Sequence, residues 1–91
     1  MNASSMVVIG KNLRALRKAR GLSIFNVAND LQMSAHYLGD IEQGEANPSI
    51  KALDKLAAYY GVPVRTLFGQ KLRVVRRVRQ RPIAAVVQTI Q

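Results

Sequence analysis

An all-α fold of five helices followed by a short basic tail is what this chain predicts, on three observations. Apolar residues recur at three- and four-residue spacing, Ser and Gly stand at the ends of the periodic stretches, and two such stretches meet at a very short turn between Ser23 and Gln43. Ninety-one residues suffice for one compact domain whose core holds without disulfide or metal staples. Three segments are expected: a flexible N-terminal arm over 1–6, a helical domain over 7–69 and a basic, apolar tail over 70–91.

Helix 1 is expected from about Val7 to Arg20, with Ile9, Leu13 and Leu16 inward and Gly21 as a left-handed stop. Ser23 can cap a second helix running to about Leu31, with Val27, Ala28 and Leu31 on one face. Ser34 can cap a third, where Tyr37, Leu38 and Ile41 recur, and Gly44 ends it. Ala28 is small where two steeply crossing helices must come close. Two capped helices at a sharp corner outline a helix-turn-helix, which makes DNA the first partner to consider. The loop Glu45 to Pro48 leads to Ser49, the cap of a fourth helix with Ile50, Leu53, Leu56, Ala57 and Tyr60 as its apolar stripe and Gly61 as its end. After Pro63, a single turn from Val64 to Phe68 can close the bottom of the core.

The net charge of +9 is clustered on the flanks of this domain. Residues 1–20 hold five basic residues and no acid, and residues 64–91 hold seven more, again unopposed. Residues 21–63, which include the helix-turn-helix, carry two lysines against five acids. The expected reading head is therefore acidic, while the attraction for a polyanion lies on either side of it.

Cysteine is absent, which excludes a disulfide framework and thiolate metal sites and fits a reducing cytoplasm. The start MNASSMVVIGK lacks the basic leader and long apolar run of a signal peptide, and no stretch approaches the roughly 20 apolar residues that span a bilayer. A soluble cytoplasmic protein with no membrane partner is expected. One His, five scattered acids and no phosphate-cradling Gly motif assemble neither a nucleophile-and-base set nor a metal site. No catalytic residue, cofactor or metal is therefore expected, and the chain reads as a non-enzyme.

The tail admits two readings. As a helix it places Leu72, Val75 and Val78 on one side and most arginines on the other; as a strand it places Arg73, Arg77, Arg79 and Arg81 opposite Leu72, Val74 and Val78. The valines before Pro82 and the apolar run Ile83 to Ile90 tilt the choice toward extended structure. Arg73, Arg76, Arg77 and Arg79 are candidates for phosphate contact, and the apolar segment is a candidate dimer or protein-partner surface.

Residues 9–68 resemble the Xre-type family of the phage lambda repressor and Cro. Leu13-Arg14-x-Leu16-Arg17 is followed by Gly21-Leu22-Ser23, Val27-Ala28, Ser34 and Tyr37-Leu38. Ile41-Glu42-x-Gly44, Asn47-Pro48-Ser49, Leu53, Leu56-Ala57 and Gly61-Val62 then stand at matching distances. The resemblance covers about two thirds of the chain. It implies a five-helix, lambda-repressor-like domain that binds double-stranded DNA, usually as a homodimer, with helix 3 in the major groove. It also implies that Arg17 and Glu42 pair, linking helix 1 to the end of helix 3, with a second edge of Arg17 turned to a phosphate.

Several positions depart from the family pattern. Ile24 stands where a phosphate-gripping Gln is usual, and Gln32 replaces the turn Gly, which predicts a right-handed or mildly strained backbone there. The base-facing positions correspond to Ala35, His36, Gly39 and Asp40, where long amides and basic residues are more common. The candidate DNA contacts within the domain are thus Arg17, Ser23, Ser34, Ala35, His36, Gly39, Asp40 and Asn47. His36 could donate to guanine or phosphate, and Asp40 could accept from cytosine N4 or stand as a solvated acid that repels phosphate. The expected function is a sequence-specific regulator, a repressor on an inverted repeat. The alternative is a protein-interaction module of the same fold, an antitoxin or adaptor with only nonspecific DNA affinity.

Overall fold

In the computed structural model, residues 3–69 are described; the tail readings at 70–91, including Arg73, Arg76, Arg77 and Arg79, lie outside the described residues. Four α-helices and one 3-10 turn follow in order: α1 (Ala3–Ala19), α2 (Ile24–Leu31), α3 (Ala35–Glu42), α4 (Ile50–Tyr60) and Val64–Phe68. The expectation of five helices is corrected to four, because the closing segment winds as a single 3-10 turn after Pro63. There is no strand among the described residues.

The caps fall where their residue types dictate. Ser23, Ser34 and Ser49 have extended backbones, and their hydroxyls accept from the amides of Asn26, Tyr37 and Ala52 at 3.0, 2.9 and 3.0 Å. Each bond satisfies a donor that the first turn of a helix leaves orphaned. Gly61 ends α4 in the left-handed region, at φ 71°. Lys55 Nζ reaches back to the carbonyl of Leu31 at the end of α2, at 2.8 Å.

Helix α1 begins four residues before Val7, so residues 3–6 of the expected arm form its opening turn. Small and polar residues there gave no apolar stripe to read. The core is built from Ile9, Leu13 and Leu16 of α1, Val27 and Ala28 of α2, and Leu38 and Ile41 of α3. Leu53, Leu56, Ala57 and Tyr60 of α4 close it, with Val62 and Leu67 below. Ile50, assigned above to the inner stripe of α4, is 71% exposed instead, since the first residue of that helix overhangs the core.

Two contacts hold α1 in place, and neither follows from periodicity. Gly10 is buried in the α1–α3 seam, where a Cβ would stand 2.5 Å from the Glu42 carbonyl oxygen and 2.6 Å from that of Ile41. The absence of a side chain lets the two backbones touch. On another face of α1, the buried Asn12 amide donates to the carbonyls of Leu67 and Gly69 at 2.7 and 2.8 Å, which fixes the point where the chain leaves the domain.

Candidate nucleic-acid interface

The unit α2–turn–α3 is held at each end by different chemistry. At its start, Ser23 and Asn26 form a reciprocal capping box: the Asn26 amide donates to Ser23 Oγ, while the Ser23 amide donates to Asn26 Oδ1 at 3.2 Å. The Ser23 hydroxyl also donates to Asn26 Oδ1, at 2.8 Å, so its proton is already engaged. At the corner, Gln32 adopts φ 57°, ψ 42°, and its amide donates to the carbonyls of Ala28 and Asn29. That is the left-handed region, not the right-handed one; the strain half of the expectation for Gln32 stands, and the corner closes on a residue that has a side chain.

Helix α3 turns Leu38, Ile41 and Glu42 inward and packs Tyr37 partly against the core. The Tyr37 hydroxyl accepts from the Ser49 amide at 3.3 Å and so joins α3 to the start of α4. The opposite stripe is His36, Gly39, Asp40 and Gln43, with Ala35 on its flank. Ser34, His36 and Gln43 are exposed, and Ala35, Gly39 and Asp40 are half-buried. The structure therefore brings four of the named candidates onto one surface with Ser34 at its head. It also adds Gln43, seven residues after His36 and four after Gly39, a spacing that could have marked it in the sequence.

His36 and Asp40 are also brought together, with Nε2 and Oδ2 3.3 Å apart one turn along the helix. Gly39 leaves room beside them: a Cβ there would sit 3.7 Å from Ile24 Cδ1, an ordinary contact. Ser34 Oγ accepts from Tyr37 and keeps its own proton to donate. Asn47 lies exposed in the loop between α3 and α4, whose amides at Glu45 and Ala46 donate to the Asp40 carbonyl at 2.8 and 3.3 Å.

Arg17 and Glu42 are paired as the family resemblance implied. Nε donates to Oε2 at 2.8 Å and Nη2 to Oε1 at 3.0 Å, a two-pronged match of planar groups. The side chains are only 12% and 3% exposed, so this is a buried pair rather than an ordinary surface contact. Nη1 donates to the Leu22 carbonyl at 2.9 Å, which engages three of the five guanidinium N–H groups. Bonding to Glu42 holds the Arg17 pKa above its ordinary value. Below the pair, burial and then the charge on Glu42 push the Tyr60 hydroxyl above the usual phenol range.

Two short capped helices at a left-handed corner, the second turning a polar stripe away from the core, define a helix-turn-helix domain. The chain belongs to the family whose model is described as "Helix-turn-helix domain", matched over residues 8–67, and its Xre-type, lambda-repressor-like kinship holds. It is 44% identical over 57 residues to the HTH-type transcriptional regulator DdrOP3 of Deinococcus deserti, covering 63% of this chain and 44% of that protein. It is 32% identical over 65 residues to the immunity repressor protein of Bacillus phage phi105, covering 71% of this chain and 45% of that one. Among solved structures, the restriction-modification controller protein C.AhdI from Aeromonas hydrophila superposes with a TM-score of 0.67 at 35% identity. That likeness covers 71% of this chain and 98% of the controller chain. The chain spans about half the length of the curated relatives it matches.

Among the described residues, no helix is long and apolar enough to cross a membrane, and no group of His and acidic residues is arranged to hold a metal ion.

Proposed function

We propose that the chain is a sequence-specific DNA-binding transcriptional regulator, a repressor that acts as a homodimer on an inverted repeat. The observation that carries the reading is the capped α2–turn–α3 unit, which leaves Ser34, Ala35, His36, Gly39, Asp40 and Gln43 on one surface while the buried Arg17–Glu42 pair locks the far end of α3 to α1. The names of the relatives, a transcriptional regulator and a phage repressor, support it.

On this reading α3 lies in the major groove. His36 and Gln43 offer donors to base edges or phosphates, Asp40 accepts from cytosine N4, and Ala35 meets a thymine methyl. Gly39 gives the helix clearance. Ser34 donates its free proton to a phosphate, Asn47 meets the backbone from the loop, and the remaining N–H groups of Arg17 face a phosphate. Ser23 acts through the capping box. A dimer of common geometry would space its half-sites about one helical turn, near 34 Å, apart. Occupation of promoter DNA then suffices for repression.

A protein-interaction role on the same fold is favoured by one observation: Phe25 of α2 and Ile50 of α4 are 73% and 71% exposed. Selection from random duplexes separates the readings, because a repressor enriches one two-fold symmetric site and retains it against excess competitor DNA. Gly39→Glu adds the structural check. Its Cβ has room in the fold, so the melting temperature should hold while operator affinity is lost. Unchanged affinity would take α3 out of the interface.

A further inference from the structure

Eight basic residues lie within 3–69, and three of them are bonded to the fold itself. Arg17 is engaged by Glu42 and Leu22. Arg20 donates to the Tyr60 carbonyl at 2.8 Å and stands over its ring, and Lys55 caps α2. Of the other five, three stand on α1. Lys11, Arg14 and Lys18 are exposed, and at 3.6 residues per turn they fall within roughly 60° of one another on a helix that contains no acid.

The stripe has a defined place beside α3. Gly10 and Arg17, on the adjoining stripe of α1, touch the carbonyl end of α3 and Glu42. Val7, one turn before Lys11, meets Gly44 just beyond α3, where a Cβ on the glycine would be 3.1 Å from Val7 Cγ2. The cations therefore run along the outer edge of the α1–α3 seam, away from the Asn12 face that holds the 3-10 turn. On the outer surface of α3 and its following loop there is no Lys or Arg, and the acids there are the half-buried Asp40 and the exposed Glu45.

We propose that Lys11, Arg14 and Lys18 form a phosphate-binding ridge. It tracks the DNA backbone along the border of the groove that α3 enters and offsets the charge of Asp40 and Glu45. The inference rests on the DNA-binding reading above and adds to it a surface on α1. Seven residues of helix span about 10 Å. Phosphates on one strand advance about 3.4 Å each along the duplex axis, so the ridge spans about three such steps, room for each cation to meet its own phosphate. Its contribution is independent of sequence, since it touches no base.

The experiment measures binding of the full chain to a labelled random-sequence duplex as a function of salt. The variant is Lys11→Gln/Arg14→Gln/Lys18→Gln, with Arg65→Gln, a cation on the 3-10 turn, as the comparison. Gln keeps the helix, so the melting temperature should hold. Each lost contact flattens the slope of log affinity against log salt by about 0.9, so the triple variant should lose about 2 to 3 in slope. The comparison variant should leave the slope as it was. An unchanged slope in the triple variant, or an equal loss per charge at Arg65, overturns the ridge while leaving the DNA-binding reading intact. A native chain that binds no duplex at all overturns that reading first and the ridge with it.

Discussion

Replacing Gly10 by Ala sets two rules against each other. Ala in a helix interior is favoured over Gly by about 1 kcal/mol, so propensity alone predicts a more stable protein. The structure predicts the reverse. The added methyl would sit 2.5 Å from the Glu42 carbonyl oxygen, 2.6 Å from that of Ile41 and 2.8 Å from the Glu42 carbonyl carbon. All three obstacles are backbone atoms at the end of α3, which cannot swing aside as a side-chain tip would, so α1 must lift by several tenths of an ångström. Overpacking of this kind costs about 1–3 kcal/mol, and a backbone obstacle puts it at the upper end, near 3. The net loss is about 2 kcal/mol. For a domain of this size it lowers the melting temperature by about 8–16 °C. Thermal unfolding followed by circular dichroism reads it directly. The matched comparison is Gly39→Ala, whose Cβ would have its nearest neighbour at 3.7 Å and which should gain stability from propensity alone. A Gly10→Ala protein that melts at or above the native temperature would refute the close α1–α3 contact.

Three further outcomes follow from named contacts. Glu42→Gln leaves the buried Arg17 charge without its carboxylate and should cost about 3 kcal/mol in denaturant unfolding; a midpoint within error of the native one would mean the pair is not a buried tie. Tyr60→Phe removes the one buried side-chain polar atom that lacks a hydrogen bond among the described residues, and should be neutral or stabilising by up to about 1 kcal/mol. It should also change the alkaline limb. The Tyr60 pKa is raised in the fold, so the stability it carries is complete below the ordinary phenol pKa near 10 and is lost above it, where the unfolded chain sheds a proton that the native one keeps. Above pH 10 the native protein should lose up to about 1.4 kcal/mol per pH unit more than the Phe variant, and parallel curves would refute the assignment. Gln32→Gly should relieve the left-handed corner and stabilise by about 0.5–1 kcal/mol; a loss of stability would mean that the Gln side chain makes up for its backbone.

The helices were legible because each was marked twice, by apolar spacing and by its punctuation. Ser23, Ser34, Ser49 and Gly61 are local signals: a hydroxyl that accepts from an amide three residues on, or a left-handed glycine, acts within one turn and needs no tertiary partner. Leu38 and Ile41 marked the inner face of α3, while His36 and Gly39 were named as base-facing by the family resemblance. What could not be read there is what depends on a second element. Gly10 resembles any helix-weakening glycine until α3 lies across it, and Asn12 resembles a surface amide until the carbonyls of Leu67 and Gly69 arrive. Ile50 fits a stripe on paper, yet the overhang of α4 exposes it. The Arg17–Glu42 pair was implied by family resemblance, but its burial belongs to the packing of α1 against α3, which joins two residues 25 apart in the chain. Local chemistry settles where helices begin, end and turn their apolar sides; the approach of one backbone to another is settled only when the helices meet, because it depends on distances across the fold that no spacing along the chain encodes.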